Sequence, residues 1–267
     1  MNYLKCIEAC PLAGGKIVGT ELFERAQAVK VCSIKDRDLY FAPVGNMVSN
    51  PSVIICGQTP DFSTMTSFWN LMTQGLSAEY AGTKTVYSNK IMRKNMFAVL
   101  SEINFFNLMK VLDEKWNTED TNVLWKAMFE IPEYSQISGI QLTQSCNCAI
   151  VKDKSSKQPP KAVFSEINRQ APECLFNSFM LNDNLKLIIF LDSPSNDGRY
   201  HLIEFFKKGN KYQWCREHNV EIISVPHPSG ANRVYNDLSK LCENKHVKNA
   251  RGVIEKMIDT YSKKDAE

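Results

Sequence analysis

The sequence predicts an α/β fold: a three-layer α/β/α sandwich built on a central, mainly parallel four-stranded sheet. Two observations carry this. Four short apolar segments, at residues 53–56, 140–143, 187–191 and 221–225, each end in turn or polar residues, as strands covered on both faces do. The stretches between them repeat apolar residues at three- and four-residue spacing, the period of helices that bury one face. Strands alternating with helices give a sheet with helices on both sides. With 267 residues, 43% hydrophobic and 23% charged, the chain has the length and composition of one domain spanning 1–267, and disordered or fibrous architectures are excluded.

In chain order, residues 29–32 and 39–43 read as an edge hairpin beside the first core strand, 53–56. Met65, Phe68, Trp69, Met72 and Leu76 then mark one helix face, and Ile91, Met96, Leu100, Ile103 and Leu108 another. After the strand at 140–143 comes a polar stretch, 152–161, with four lysines. It is either a solvated loop or, through Lys152 and Lys154, a phosphate-contacting one. The strands at 187–191 and 221–225 follow. A C-terminal helix over about 247–262 carries Val247, Ala250, Ile254, Met257 and Tyr261 on one face. These apolar stripes are core faces and receive no chemistry.

Composition narrows the function classes. The longest plain apolar run, residues 187–191, is far shorter than the ~20 residues of a membrane span. The N-terminus lacks a secretory apolar region, so a cytoplasmic protein with no membrane partner is expected. Nine irregularly spaced cysteines then read as free, buried or metal-bound thiols. A net charge of +3 does not identify a nucleic-acid partner, because a basic patch must be local to matter. No Gly-x-Ser-x-Gly elbow and no P-loop is present.

In sheets of this kind ligands bind beyond the carboxyl ends of the strands. The first core strand is followed by Gly57-Gln58-Thr59-Pro60-Asp61-Phe62, the last by Pro226-His227-Pro228-Ser229-Gly230-Ala231-Asn232-Arg233. The strand at 140 runs into Leu142-Thr143-Gln144-Ser145-Cys146-Asn147-Cys148. Taken together and in register, over roughly residues 45–240, these blocks resemble the uracil-DNA glycosylase superfamily. That family has a Gly-Gln-Asp-Pro or Gly-x-x-Pro-Gly turn after its first strand. It has a strand ending in Thr-Asn, whose Asn reads the base, and a His-Pro-Ser block before a DNA-inserting loop after its last strand.

The resemblance implies a monofunctional DNA N-glycosylase acting on double-stranded DNA, with no obligate protein partner and no cofactor needed for the chemistry. Breaking a pyrimidine N-glycosidic bond puts negative charge on the departing base and positive charge on the sugar. A donor aimed at the base carbonyl stabilises the anion, and loss of one such donor typically costs ~3 kcal/mol. His227 takes that role, helped by the backbone N–H of Gln58. A carboxylate or polar group opposite it positions water and stabilises the sugar cation, by the logic of glycosidases. The target base must first leave the stack, and Phe62, Phe68 or Trp69 supplies an aromatic floor. Gln144 falls at the base-reading position, with Thr143 beside it. Ser229, Asn232 and Arg233 hold phosphates or fill the gap in the duplex.

The departures from the family pattern carry information. Thr59 stands where one branch has its water-positioning Asp, and Asp61 lies two residues on, where that branch has an aromatic guard against thymine. Asp61 either restores the carboxylate from a shifted position or is a turn or N-cap residue. Gln144 stands in place of the base-reading Asn, with the same donor–acceptor pair on a longer arm, or it is a strand-end residue bonded to backbone. A displaced guard and a longer reader imply a pocket altered from the uracil type. That fits a bulky modified pyrimidine such as the glucosylated hydroxymethylcytosine that some superfamily members excise in defence against phage. The alternative is a catalytically silent nucleic-acid-binding module on the same fold.

One branch of the family also holds an iron–sulfur cluster on four cysteines. By that resemblance Cys6, Cys10, Cys148 and Cys174 are candidate ligands, although the first pair is spaced by three residues rather than two. The other reading is four free, buried thiols. His201, His218 and His246 read as surface residues. Lys207, Lys208, Lys211 and Arg216 read as a basic stripe near the site or as a solvated helix face.

Overall fold

The computed structural model describes residues 30–46, 48–129, 139–152, 161–170, 172–192, 202–229 and 232–264. Its centre is a four-stranded sheet of β3 (Val53–Gly57), β4 (Ile140–Gln144), β6 (Leu187–Leu191) and β7 (Glu221–Val225), in the order β4-β3-β6-β7 and parallel throughout. All four strands fall where the apolar runs predict them. Each is short because each face needs only two or three apolar side chains to meet its helices.

Alternation along the strands sorts the core into two layers. Val53 and Ile55, Ile140 and Leu142, Leu187, Ile189 and Leu191, and Ile223 and Val225 point to one face. There they pack against α1 (Phe62–Thr73), α3 (Lys90–Glu102), α4 (Phe105–Leu112), α5 (Thr121–Phe129) and the long C-terminal helix α10 (Lys245–Lys264). The short α2 (Ala78–Thr85) follows α1 on this side, and α9 (Leu238–Glu243) precedes α10. Ile54, Cys56, Ile188 and Phe190 point to the other face. They meet α6 (Lys161–Gln170), α7 (Leu202–Phe206) and α8 (Asn210–Glu217), with Phe176, Phe179, Phe190 and Phe206 in mutual ring contact. The three-layer sandwich follows from this parity.

β4 is an edge strand and yet fully buried. Asn46 closes its outer edge as a strand would: its N–H donates to Leu142 O (3.0 Å), its Oδ1 accepts from Leu142 N (2.7 Å), and its Nδ2 donates to Ile140 O (2.9 Å). The exposed row of backbone groups that invites edge pairing is thereby covered.

Three expectations are corrected. The hairpin β1 (Lys30–Ile34) and β2 (Arg37–Phe41) does not edge the main sheet but joins β5 (Cys148–Val151) in a separate antiparallel sheet. Residues 148–151, Cys-Ala-Ile-Val, are a short apolar run of their own close behind β4, and the sequence reading passed over it. The stripe from Ile91 to Leu108 is two helices, α3 and α4, divided at Asn104, whose φ of 65° breaks the helical path, and Ile91 is 58% exposed. Leu76 lies beyond the end of α1 at Thr73. The C-terminal stripe holds, with Val247, Ala250, Ile254 and Met257 buried along α10. No helix among the described residues is long and apolar enough to cross a membrane.

Candidate functional site

The strand order places the chain's first core strand, β3, between β4 and β6, so the connections leaving β3 and β6 diverge. That divergence opens a crevice at the carboxyl ends, where ligands of doubly wound sheets bind. Backbone bonds hold the rim together. Ser145 N donates to Gly57 O (2.8 Å), the Ser145 hydroxyl bonds Gln58 O, and Asp192 N donates to Val225 O (2.9 Å).

Parity decides which residues share a side of this rim. Gly57 continues the face of Val53 and Ile55, and Gln144 that of Ile140 and Leu142. A Cβ added at Gly57 would lie 2.4 Å from Gln144 Oε1 and 2.8 Å from the Tyr87 hydroxyl, so a glycine is required for these groups to meet. Gln144 is 6% exposed, and its Oε1 is buried with no hydrogen-bond partner among the described residues. Tyr87 OH donates to Thr143 O (2.7 Å) and fixes the end of β4. Thr143 itself is not brought to this side. Its side chain points to the other face, 2.6 Å from Ser178 Oγ, because neighbours on a strand point opposite ways.

α1 begins at the same rim. Asp61 is its N-cap, its Oδ1 accepting from Thr64 N at 2.6 Å. Phe62 is half-buried next to it and Thr59 half-buried before it, while Gln58 is 7% exposed. Of the three aromatic residues considered for a base floor, Phe68 is wholly buried, and Trp69 is buried with its indole N–H on Phe41 O (2.9 Å). Both belong to the core, which leaves Phe62.

His227 stands on the continuation of β7, half-buried, between two buried prolines. Burial pushes its pKa down from 6.5 to about 4, against the opposing pull of the Asp61 charge. The two residues from opposite ends of the chain therefore act on each other across one rim. The Ser229 N–H donates to His227 Nδ1 (3.3 Å). With Nδ1 an acceptor, the neutral ring carries its proton on Nε2.

The remaining candidates fall elsewhere. Asn232 serves the loop itself: its Nδ2 donates to His227 O (3.1 Å) and its Oδ1 caps Val234 N (3.4 Å). Arg233 is exposed in the 3-10 turn Arg233–Asn236. Lys152 pairs with Asp36 of the β1–β2 turn, just past the end of β5. Lys154, Cys6 and Cys10 lie outside the described residues. Cys148 and Cys174 are half-buried against the second apolar layer, their segments joined by a bridge between Cys146 and Leu175. Among the described residues, which leave out Cys6 and Cys10, no three His, Cys, Asp or Glu side chains gather as a metal requires. Lys207, Lys208 and Arg216 line a surface hollow of about 560 Å³ with Tyr212. That hollow belongs to the α7–α8 layer, across the sheet from His227.

Sequence reasoning missed Tyr87, Asn95, Tyr235 and Asp192. Asp192 had a signal: an acidic residue directly after a fully apolar strand. It is wholly buried, and its Oδ2 accepts from Leu202 N (2.6 Å). Parity puts it on the face of Phe190, opposite His227. Tyr87 and Asn95 bond across long sequence separations, to Thr143 O and Pro228 O, and Tyr235 bonds Pro226 O from the following turn; none had a local signal. Comparison of the chain with protein-family models, curated proteins and solved structures returns no match.

Proposed function

We propose that this chain is a monofunctional DNA glycosylase, acting in the cytoplasm on double-stranded DNA, that flips out a non-standard pyrimidine and hydrolyses its bond to deoxyribose. The substrate is uracil or a bulky modified cytosine such as glucosylated hydroxymethylcytosine in phage DNA. The observation that carries the proposal is that His227, its Nδ1 accepting from Ser229 N–H, lies in a buried setting within reach of the Asp61 charge. A neutral imidazole is the right donor here. It strengthens its hydrogen bond as the base oxygen gains charge, without taking a proton from solvent first.

In this reading the C1′–N bond breaks with its electron pair passing to the base, and His227 Nε2–H holds the resulting oxyanion. Asp61 and Thr59 orient a water whose oxygen bonds C1′. Its released proton ends on the departing base. Gln144 meets the base edge, and Phe62 stacks on it. Ser229 and Arg233 lie along the DNA strand. No step uses an amine nucleophile, so the product is an abasic site on an intact strand.

One observation favours the silent binding module instead: an Asp61 oxygen already caps α1. The two readings part in one assay. Duplexes containing uracil, and phage DNA with modified cytosines, are incubated with the protein and treated with alkali. Strand breaks that vanish in His227→Ala and Asp61→Asn support the enzyme. Binding without breaks on every substrate rejects it.

A further inference from the structure

We propose that Tyr235 and Asn95 are positioning residues that lock the His227 ring in its donor orientation, an inference that rests on the role given to His227 above. The segment Pro226-His227-Pro228 has two prolines, which offer no N–H, so its backbone cannot be fixed by the usual donors. It is held by its carbonyls. Tyr235 OH donates to Pro226 O (2.5 Å), Asn232 Nδ2 to His227 O (3.1 Å) and Asn95 Nδ2 to Pro228 O (3.1 Å). Three consecutive carbonyls are thus taken by three side chains. Two come from the following turn and one from α3, 133 residues away in the chain.

This arrangement does more than fill valences. His227 precedes a proline, which already restricts its backbone to extended conformations. With both flanking carbonyls pinned, the remaining freedom lies in the ring torsions, and the Ser229 N–H bond to Nδ1 closes that. Burial raises the Tyr235 phenol well above its ordinary pKa, so it stays a donor throughout the range in which the ring titrates. The clamp is uncharged and therefore insensitive to salt. Asn95 ties the loop to α3 in the helical layer on His227's side of the sheet, so the ring keeps its place relative to the core.

The test is nitrogen NMR of the ¹⁵N-labelled imidazoles in the full chain, with His227 identified by the signal lost in His227→Gln. The expected wild-type result is one tautomer, protonated on Nε2, titrating near pH 4. In Tyr235→Phe and Asn95→Ala the ring is expected to populate both tautomers and to titrate closer to 6.5. Base release should fall about 10- to 100-fold in kcat, with little change in KM. Circular dichroism and the unfolding midpoint report whether each variant is folded. Asn95 is half-buried on a helix, and Asn95→Ala carries the test alone if Tyr235→Phe does not fold. Wild-type tautomer and titration in the folded variants would overturn the clamp. A wild-type protein that releases no base would overturn the glycosylase reading and leave the NMR result standing.

Discussion

His227 makes folding pH-dependent in a direction and size that can be worked out. Its pKa is about 4 in the folded chain and 6.5 when exposed. Between those values the unfolded chain binds a proton that the folded chain does not, so acid favours unfolding. The stability at stake is intact above pH 6.5 and is lost as pH falls through about 4. That displacement corresponds to about 3 kcal/mol in full, and to about 2 kcal/mol already at pH 5. The ring is only half-buried, so these are upper bounds. His227→Gln removes the titration and keeps an amide donor of similar size. Urea unfolding of both proteins at pH 7 and pH 5 isolates the effect, since every other group titrates alike in the two. Wild type should lose up to about 2 kcal/mol more than the variant on acidification. Equal losses would refute the placement of the ring in a desolvated recess.

Other outcomes follow from the same geometry. Asp61→Ala should destabilise by about 1 kcal/mol through loss of the α1 cap, whereas Asp61→Ser, which caps as well, should restore stability but not base release; rescue of both by Ser would make Asp61 structural. Gly57→Ala should lower stability by about 1–3 kcal/mol, read by thermal unfolding, because the new methyl meets Gln144 and the buried Tyr87 hydroxyl. For duplex binding measured against salt, Arg233→Ala should reduce the slope by about one, and Lys152→Ala should leave it unchanged because Lys152 is already paired with Asp36.

What the sequence disclosed and what it hid have physical reasons. The central strands were the most legible because burial on both faces demands unbroken apolar runs, as in Val53–Gly57 and Leu187–Leu191. The strand-end blocks were legible because turns need Gly and Pro at fixed places. Asp61 was read with both its possible roles, and its capping bond is one of them. β5 was hidden because its pairing with β2 lies more than a hundred residues away in sequence. Asn95 was hidden for the same reason, its acceptor Pro228 O lying 133 residues away, whereas Tyr235 bonds within its own loop. Nothing near Tyr235 or Asn95 announces that each will donate to a carbonyl beside a proline. Thr143 was misassigned to the site because its neighbour Gln144 faces the crevice, and adjacent strand residues cannot share a face.

The most direct measurement is mass spectrometry of small molecules released when the protein is mixed with DNA containing uracil or modified cytosines. The account predicts a free pyrimidine base in the filtrate, formed by wild type, abolished in His227→Ala, with the sugar–phosphate strand unbroken before alkali. No free base from any of these DNAs, or equal release by wild type and His227→Ala, would contradict it.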